Sequence, residues 1–186
     1  MPQNHRAALI DIIKARSFST GAEMKLASGR TSNFYFNMKP TMLHPQGAHV
    51  IGQLILDAIA NDKVDLVGGL EMGAVPIATA ISTVSYAQGR PVAAFFVRKQ
   101  AKEHGTMALI EGLPKGETLA GKRVVIVEDV TTTGGSSLKA VEAVVAAGGI
   151  VVRVVTVVDR QEGAADTFAA AGLTFTPILT AADFKA

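Results

Sequence analysis

Residues 124–137 read Val-Val-Ile-Val-Glu-Asp-Val-Thr-Thr-Thr-Gly-Gly-Ser-Ser, and this stretch decides the fold. Its first four residues are apolar and β-branched, which is typical of a strand buried on both faces, as in a parallel sheet. Two carboxylates follow, and a loop of hydroxyls and glycines then opens the next helix. A strand that leads directly into a helix predicts one unit of an α/β protein.

The loop after this strand offers many donors to a small anion. It contributes backbone N–H groups, five hydroxyls and the positive end of a helix dipole, which together suit a monophosphate. Glu128 and Asp129 stand beside it, and carboxylates accept hydrogen bonds from paired ribose hydroxyls or bind hydrated magnesium. A phosphate next to a diol indicates a ribose 5-phosphate group. The alternative is an ordinary strand-to-helix turn with a Ser/Thr cap.

Composition and length favour one domain with a substantial core. The chain has 186 residues, of which 48% are hydrophobic, and it has no cysteine, so disulfides and thiolate metal sites are excluded. A net charge of +2 with dispersed basic residues argues against a nucleic-acid partner. The sequence offers neither a membrane span nor the apolar core of a signal peptide, so we expect a cytoplasmic protein with no membrane partner.

Apolar periodicity predicts that strands and helices alternate after residue 45. We expect strands at 66–69, 92–97, 123–128, 151–158 and 174–178, and helices at 7–15, 45–61, 75–88, 136–147 and 162–171. This alternation predicts an α/β fold with a central parallel sheet, helices on both faces, and ligands at the carboxyl ends of the strands. Residues 1–40 do not follow this alternation. We therefore expect them to form a small N-terminal hood on a core of residues 41–186, and the two parts to form one compact domain.

A second segment, Arg-Lys-Gln-Ala-Lys-Glu-His-Gly-Thr at 98–106, follows the strand predicted at 92–97. It places three fixed cations and a histidine within seven residues: Arg98, Lys99, Lys102 and His104. At the ligand end of a parallel sheet such cations suit a departing pyrophosphate, and the nearby glycines suit a mobile lid. The alternative is a solvated charged loop.

Four motifs, spread along the chain from residue 28 to residue 163, resemble those of known families. The strand and loop at 124–137 resemble the 5-phosphoribosyl 1-pyrophosphate (PRPP) signature of the type I phosphoribosyltransferases. RKQAKEHGT at 98–106, SGRTSNFYFNMKP at 28–40 and VVDRQEG at 157–163 resemble elements of the orotate phosphoribosyltransferases. The resemblance implies the type I phosphoribosyltransferase fold. It also implies that ribose 5-phosphate is transferred from PRPP to orotate in pyrimidine (UMP) biosynthesis, giving orotidine 5′-monophosphate and pyrophosphate.

The resemblance also implies roles for the matching residues. Glu128 and Asp129 hold the ribose hydroxyls, and the 5-phosphate is cradled by Val130, Thr131, Thr132, Thr133, Gly134, Gly135 and Ser136. The pyrophosphate is contacted by Arg98, Lys99, Lys102 and His104. These four residues and Asp129 form the implied catalytic set, in which Lys102 is most closely tied to the rate.

Orotate is implied to contact Thr132, Arg160 and the backbone at Phe34 and Tyr35. The chemistry of Arg160 supports this independently, because orotate carries a carboxylate and a guanidinium binds a carboxylate with two parallel hydrogen bonds. The alternative is an exposed arginine at a strand end.

The resemblance implies Mg²⁺ as the cofactor, held mainly by PRPP oxygens and water without a protein metal site. It also implies a homodimer in which the lid partly serves the neighbouring subunit. The segment 68–76 matches a backbone pyrophosphate site, with a simple strand–helix turn as the alternative. Two family lysines are replaced, by Ala27 and by Met72. Either Lys25 or Lys39 takes over the role of these lysines, or the enzyme works without a lysine there.

Two other functions remain open at this point. A purine phosphoribosyltransferase would share the phosphate loop, but it would lack the lid motif and an arginine placed for a carboxylate. A regulator that senses PRPP without turnover usually carries a nucleic-acid-binding module or a broad basic face. This chain has no room for the first and no sign of the second.

Overall fold

The computed structural model describes residues 4–25, 31–100 and 109–184. The chain begins with helix α1 (His5–Arg16), where the Asn4 side chain caps the first turn by accepting a hydrogen bond from the Ala7 N–H. An antiparallel hairpin of β1 (Phe18–Lys25) and β2 (Thr31–Phe36) follows. Ser-Gly-Arg at 28–30 predicts a turn between two short strands, but these three residues lie outside the described part of the chain.

The rest of the chain alternates strands and helices, as predicted. The elements are α2 (Lys39–Met42), α3 (Pro45–Ala58), β3 (Leu66–Gly68), α4 (Ala74–Ala87), β4 (Ala93–Ala94), β5 (Phe96–Val97), β6 (Ile110–Glu111), β7 (Arg123–Thr131), α5 (Gly135–Ala146), β8 (Ile150–Asp159), α6 (Ala164–Ala170), β9 (Phe175–Thr180) and a 3₁₀ turn at Ala181–Asp183. Five strands form a parallel sheet in the order β4-β3-β7-β8-β9.

Helices cover both faces of this sheet, which confirms the predicted α/β class. The four residues that begin the 124–137 stretch are fully buried. Val125 and Val127 pack with the cluster that includes α3 and α4, whereas Val124 and Ile126 pack with α5 and α6. Because successive strand residues point to opposite faces, one apolar run fills both layers. Each fully buried aliphatic side chain stabilises the fold by roughly 1.5–3 kcal/mol.

The strand predicted at 92–97 forms as two short segments, β4 and β5, on either side of Phe95. Strand β4 pairs with β3, and hydrogen bonds from the Phe95 N–H to Val67 O and from the Val97 N–H to Gly69 O continue this pairing. Strand β5 also pairs antiparallel with β6. Phe95 lies at the break, and its ring fills the space beside Gly68, where an added Cβ would come within 2.6 Å of it. The segment 93–97 therefore runs beside residues 66–70, with the Phe95 ring packed against Gly68.

Strand β7 is longer than predicted and carries the two carboxylates inside the sheet. Its pairing with β8 continues from Glu128 opposite Thr156 to Thr131 opposite Asp159. Helix α3, in contrast, ends three residues before the predicted position. In the described part of the chain, no helix is long and apolar enough to cross a membrane.

The hairpin β1–β2 lies over the carboxyl end of the sheet and is held there by aromatic packing. Phe18, Phe36 and Phe184 form a cluster with ring centroids 5.0–5.4 Å apart. Arg6 donates two hydrogen bonds to the carboxylate of Asp183, at 2.8 and 2.9 Å. The C-terminal turn thus fixes the hairpin, while the boundary at residue 40 between hood and core stays a prediction.

Candidate active site

The acid pair, Glu128 and Asp129, lies near the carboxyl end of β7. Glu128 is only 7% exposed, and its carboxyl group accepts hydrogen bonds from the Ser137 hydroxyl and the Asp129 N–H, both at 3.3 Å. Burial, together with the neighbouring charge of Asp129, raises the pKa of Glu128 to about 8. The free protein therefore holds a proton on Glu128 at neutral pH, and a bound cation or hydroxyl donor favours its release.

Loop 130–136 forms a small pocket beside the acid pair. This loop pocket has a volume of about 270 Å³ and is lined by Glu128, Val130, Thr131, Thr132, Thr133, Gly134, Gly135, Ser136 and Ser137. The residue before α5 is Gly134, in the left-handed conformation with φ 90°, and no side chain caps the helix. The predicted alternative, a Ser/Thr cap, is therefore wrong.

Two features of the loop pocket leave polar groups for a ligand. The first N–H groups of α5 have no partner within the helix, as at every helix start. The hydroxyl oxygen of Thr131 is buried and has no hydrogen-bond partner. An unsatisfied buried polar group destabilises a protein by about 1–3 kcal/mol. A bound acceptor such as a phosphate oxygen would remove this penalty.

The segment after β3 packs directly against the acid pair. A Cβ added to Gly73 would lie 2.6 Å from Asp129 Oδ1 and 3.1 Å from Glu128 Oε1. On its other side, Glu71 accepts a hydrogen bond from the Lys99 N–H at 2.9 Å, and its own N–H donates to Val97 O at 2.8 Å. The peptide bond between Glu71 and Met72 is cis. The segment 68–76 thus joins the acid pair to the start of the predicted lid.

A main cavity of about 510 Å³ opens between these elements and adjoins the loop pocket. It is lined by Lys39, Met42, Leu43, Leu70, Glu71, Met72, Gly73, Pro76, Lys99, Glu128, Asp129, Val130 and Ser136. Lys99 and the acid pair therefore share one cavity. Arg98 does not line it: its guanidinium lies 3.8 Å from Glu111 Oε1 and donates to Gln100 O at 3.2 Å. Lys102 and His104 lie outside the described residues.

Arg160 lies at the end of β8 beneath the hairpin, and its side chain is only 3% exposed. Its Nε donates to Glu162 Oε1 at 2.8 Å, and its Nη1 donates to Phe34 O at 3.4 Å. The Phe34 ring lies against the guanidinium, with 4.3 Å between Cζ and the ring centroid. The Arg160 N–H also donates to Thr131 O at 2.9 Å. The alternative of an exposed arginine is wrong.

The structure therefore brings Arg160, Phe34 and the start of loop 130–136 together. Thr132 directly follows β7 and lines the loop pocket, and Tyr35 is partly exposed on the hairpin.

The sequence motifs include Gly73 only within the segment 68–76 and Glu162 only within the motif at 157–163, and they assign neither residue an individual role. Lys39 is predicted only as one of two possible substitutes. Glu162 follows Arg160 by two residues in the motif at 157–163, so the sequence alone could have indicated an ion pair between them. The contact of Gly73 with the acid pair depends on two strands meeting in space, and no local pattern reports that.

The comparisons with known proteins agree with the fold. The model of the phosphoribosyl transferase domain matches residues 41–176, which defines the class of protein. An orotate phosphoribosyltransferase of Bradyrhizobium diazoefficiens is 60% identical over 179 residues, which cover 96% of this chain and 95% of the relative.

Crystal structures of the orotate phosphoribosyltransferase of Mycobacterium tuberculosis are also similar. The complex with Fe(III) dicitrate has a TM-score of 0.85 and 42% identity, covering 98% of this chain and 99% of that one. The complex with PRPP has a TM-score of 0.79 and 41% identity, covering 96% and 98%. The chain belongs to the orotate phosphoribosyltransferases, transferases of pyrimidine biosynthesis.

Proposed function

We propose that this chain transfers ribose 5-phosphate from PRPP to orotate with loop 130–136, the acid pair and Arg160 as its binding groups. The observation that carries the proposal is the meeting of these three at one end of the sheet. These three are a phosphate site, a diol site and a carboxylate site that lie side by side. The first two match the ribose 5-phosphate part of PRPP, and the third matches the carboxylate of orotate. Fixing both substrates there converts a bimolecular reaction into an effectively unimolecular one.

The 5-phosphate binds in the loop pocket. Its oxygens accept hydrogen bonds from the N–H groups at the start of α5 and from the buried hydroxyl of Thr131. Gly134 allows the chain to enter the helix in a left-handed conformation, and an added Cβ there would press on the ring of Phe168 at 3.0 Å. The loop is thereby held between the sheet and α6.

The ribose hydroxyls donate to the acid pair. Hydrogen bonds donated to a carboxylate favour its charged form, so substrate binding lowers the pKa of Glu128 from about 8 and releases its proton. Mg²⁺ is held mainly by PRPP oxygens and water, and the acid pair offers carboxylate oxygens to its hydration shell. When bound, Mg²⁺ neutralises charge on the departing pyrophosphate.

Orotate binds between Arg160 and the hairpin, with Thr132 and the backbone at Phe34 and Tyr35 beside it. Glu162 fixes the Nε side of the guanidinium, and the Phe34 ring fixes its plane. The contact to Phe34 O is long, at 3.4 Å, so a carboxylate is the stronger acceptor for the terminal nitrogens. A base without a carboxylate cannot form these charge-assisted hydrogen bonds with the guanidinium, which gives selectivity for orotate.

The lid residues Arg98, Lys99, Lys102 and His104 contact the pyrophosphate when the lid closes. Lys99 supports this role because it already lines the main cavity next to Glu71. Positive charge there stabilises the leaving group as the bond from C1 to pyrophosphate loosens, and closure keeps water away from the reacting carbon.

A homodimer is part of the same proposal, and an apolar groove supports it. The groove has a volume of about 590 Å³ and lies between α3 and α4, with Leu43 72% exposed and Met72 62% exposed at its edge. It shares Met42, Leu43, Met72 and Pro76 with the main cavity. A second copy seated there covers apolar surface and lies at the mouth of the site, where a shared lid must reach.

Subunit mixing tests the shared site. Lys102→Ala and Asp129→Asn homodimers should each be nearly inactive, whereas mixed dimers should regain activity because one complete site is assembled from intact halves. If mixtures with proven subunit exchange stay as inactive as the parents, the lid does not act across the dimer. A cytoplasmic location stays a prediction.

The test of function is orotate consumption with PRPP and Mg²⁺, with uracil, hypoxanthine and adenine as competitors. Orotate should be consumed with one pyrophosphate released per orotidine 5′-monophosphate, and the competitors should hardly slow it. Asp129→Asn should abolish most turnover, whereas the control Asp166→Asn, exposed on α6, should not. Consumption of a purine in preference to orotate would contradict the assignment.

A further inference from the structure

The main cavity is lined by more carboxyl groups than cations, which is unfavourable for a polyanionic ligand. Its wall holds three carboxyl groups, on Glu71, Glu128 and Asp129, whereas the lining cations among the described residues are Lys39 and Lys99. Pyrophosphate brings several negative charges into this space. The pyrophosphate needs cations in the same cavity, and Lys99 alone cannot balance its charge in addition to the carboxylates of Glu71 and Asp129.

Lys39 lies on a rigid element that belongs neither to the lid nor to the phosphate loop. It opens the short helix α2, whose neighbouring residues Met38, Thr41 and Met42 are buried. The Thr41 hydroxyl is 2.6 Å from the Ser17 hydroxyl, and Gly47 packs so closely on Thr41 that an added Cβ would overlap its backbone oxygen. The backbone of Lys39 is therefore well fixed, although its side chain is exposed.

The ammonium of Lys39 has no competing partner in the described part of the chain. No hydrogen bond or ion pair engages it there, although the cavity that it lines contains carboxylates. Its long flexible stem and three donors suit a phosphate oxygen whose position changes during reaction. The adjacent wall residue Met72 is apolar, so the segment 68–76 supplies no cation of its own.

We propose that Lys39 binds the pyrophosphate group of PRPP, opposite Lys99, and supplies the positive charge that Met72 does not. This inference rests on the proposed function, because it takes the main cavity as the pyrophosphate site. Of the two candidate lysines, Lys39 is the one that the described part of the structure places at this cavity, and the side chain of Lys25 lies outside that part. Like Lys99, Lys39 lines the cavity before closure, so it contributes to capture of PRPP as well as to departure of pyrophosphate.

The test is calorimetric titration of inorganic pyrophosphate with Mg²⁺ into the full-length protein. Lys39→Ala should raise the Kd roughly tenfold or more, because a charge-assisted hydrogen bond is lost. Lys39→Arg should restore most of the affinity. The control Lys14→Ala removes an exposed lysine from α1 and should leave the Kd unchanged. Binding of ribose 5-phosphate, which uses the loop pocket, should change less than twofold in all variants.

Steady-state kinetics give a second readout. Lys39→Ala should raise the KM for PRPP several-fold while the KM for orotate stays within about twofold, because the two substrates contact different walls. Unchanged pyrophosphate affinity in Lys39→Ala, with the parent binding and turning over normally, overturns the role of Lys39 alone. A parent that fails both to bind pyrophosphate and to consume orotate overturns the proposed function as well.

Discussion

Glu128→Gln should make the protein more stable at alkaline pH while making it a poorer enzyme. The buried carboxyl has a pKa of about 8 in the folded chain, against an ordinary value of 4.5. Folding therefore takes up a proton between these two pH values. This stability is complete below about pH 4.5 and is lost as pH rises through about 8, where the folded state must hold a buried charge beside Asp129.

The magnitude follows from the two pKa values. One pKa unit corresponds to about 1.4 kcal/mol, so full ionisation of Glu128 destabilises the fold by roughly 4–5 kcal/mol. Glutamine keeps the shape and an acceptor for the Ser137 hydroxyl but cannot ionise. Between pH 5 and pH 8.5, the free energy of unfolding of Glu128→Gln should therefore rise by about 4 kcal/mol relative to the parent.

Urea unfolding at constant ionic strength, without substrates or Mg²⁺, measures this difference at five pH values from 5 to 8.5. Glu142→Gln, an exposed change on α5, is the matched control and should follow the parent curve. Catalytic efficiency of Glu128→Gln should fall, since an acceptor for the ribose hydroxyls loses its charge. Parallel parent and Glu128→Gln curves would refute the argument that burial and Asp129 keep Glu128 protonated.

Two further substitutions test neighbouring parts of the site. Gly73→Ala should weaken PRPP binding more than tenfold, because its Cβ would lie 2.6 Å from Asp129 Oδ1. In the control Gly21→Ala, the added Cβ meets nothing within 4 Å. Equal PRPP affinity in the two variants would contradict the packing argument. Arg160→Ala should raise the orotate Kd roughly thirty- to hundred-fold, equivalent to about 2–3 kcal/mol, with PRPP binding nearly intact by calorimetry. Arg160→Lys should recover only part of the loss, whereas equal weakening of both ligands would mean that Arg160 supports the fold.

The parallel sheet was predictable because its signal is local. The run from Val124 to Val127 is uniformly apolar, and burial on both faces requires such a run. The order of strand, acid pair, hydroxyl loop and helix is also read directly along the chain. These features depend on residues adjacent in sequence, and the structure keeps them adjacent.

The remaining features depend on contacts between distant segments. The packing of Phe95 against Gly68 joins segments far apart in the sequence, and α2 is a four-residue helix too short to show a period. The protonation of Glu128 follows from burial, which the sequence does not report. Lys39 lines the main cavity because the hydrogen bond between the Thr41 and Ser17 hydroxyls fixes α2. Neither Thr41 nor Ser17 belongs to a recognisable sequence motif.

The central claim is that loop 130–136, the acid pair and Arg160 hold the phosphate, the ribose and the base of one nucleotide. A crystal structure with orotidine 5′-monophosphate tests it most directly. The phosphate should lie within hydrogen-bond distance of the Thr131 hydroxyl and the first N–H groups of α5. The ribose hydroxyls should contact Glu128 and Asp129, and the base carboxylate should contact Arg160. A phosphate bound outside the loop pocket, or a carboxylate pointing away from Arg160, would contradict the account.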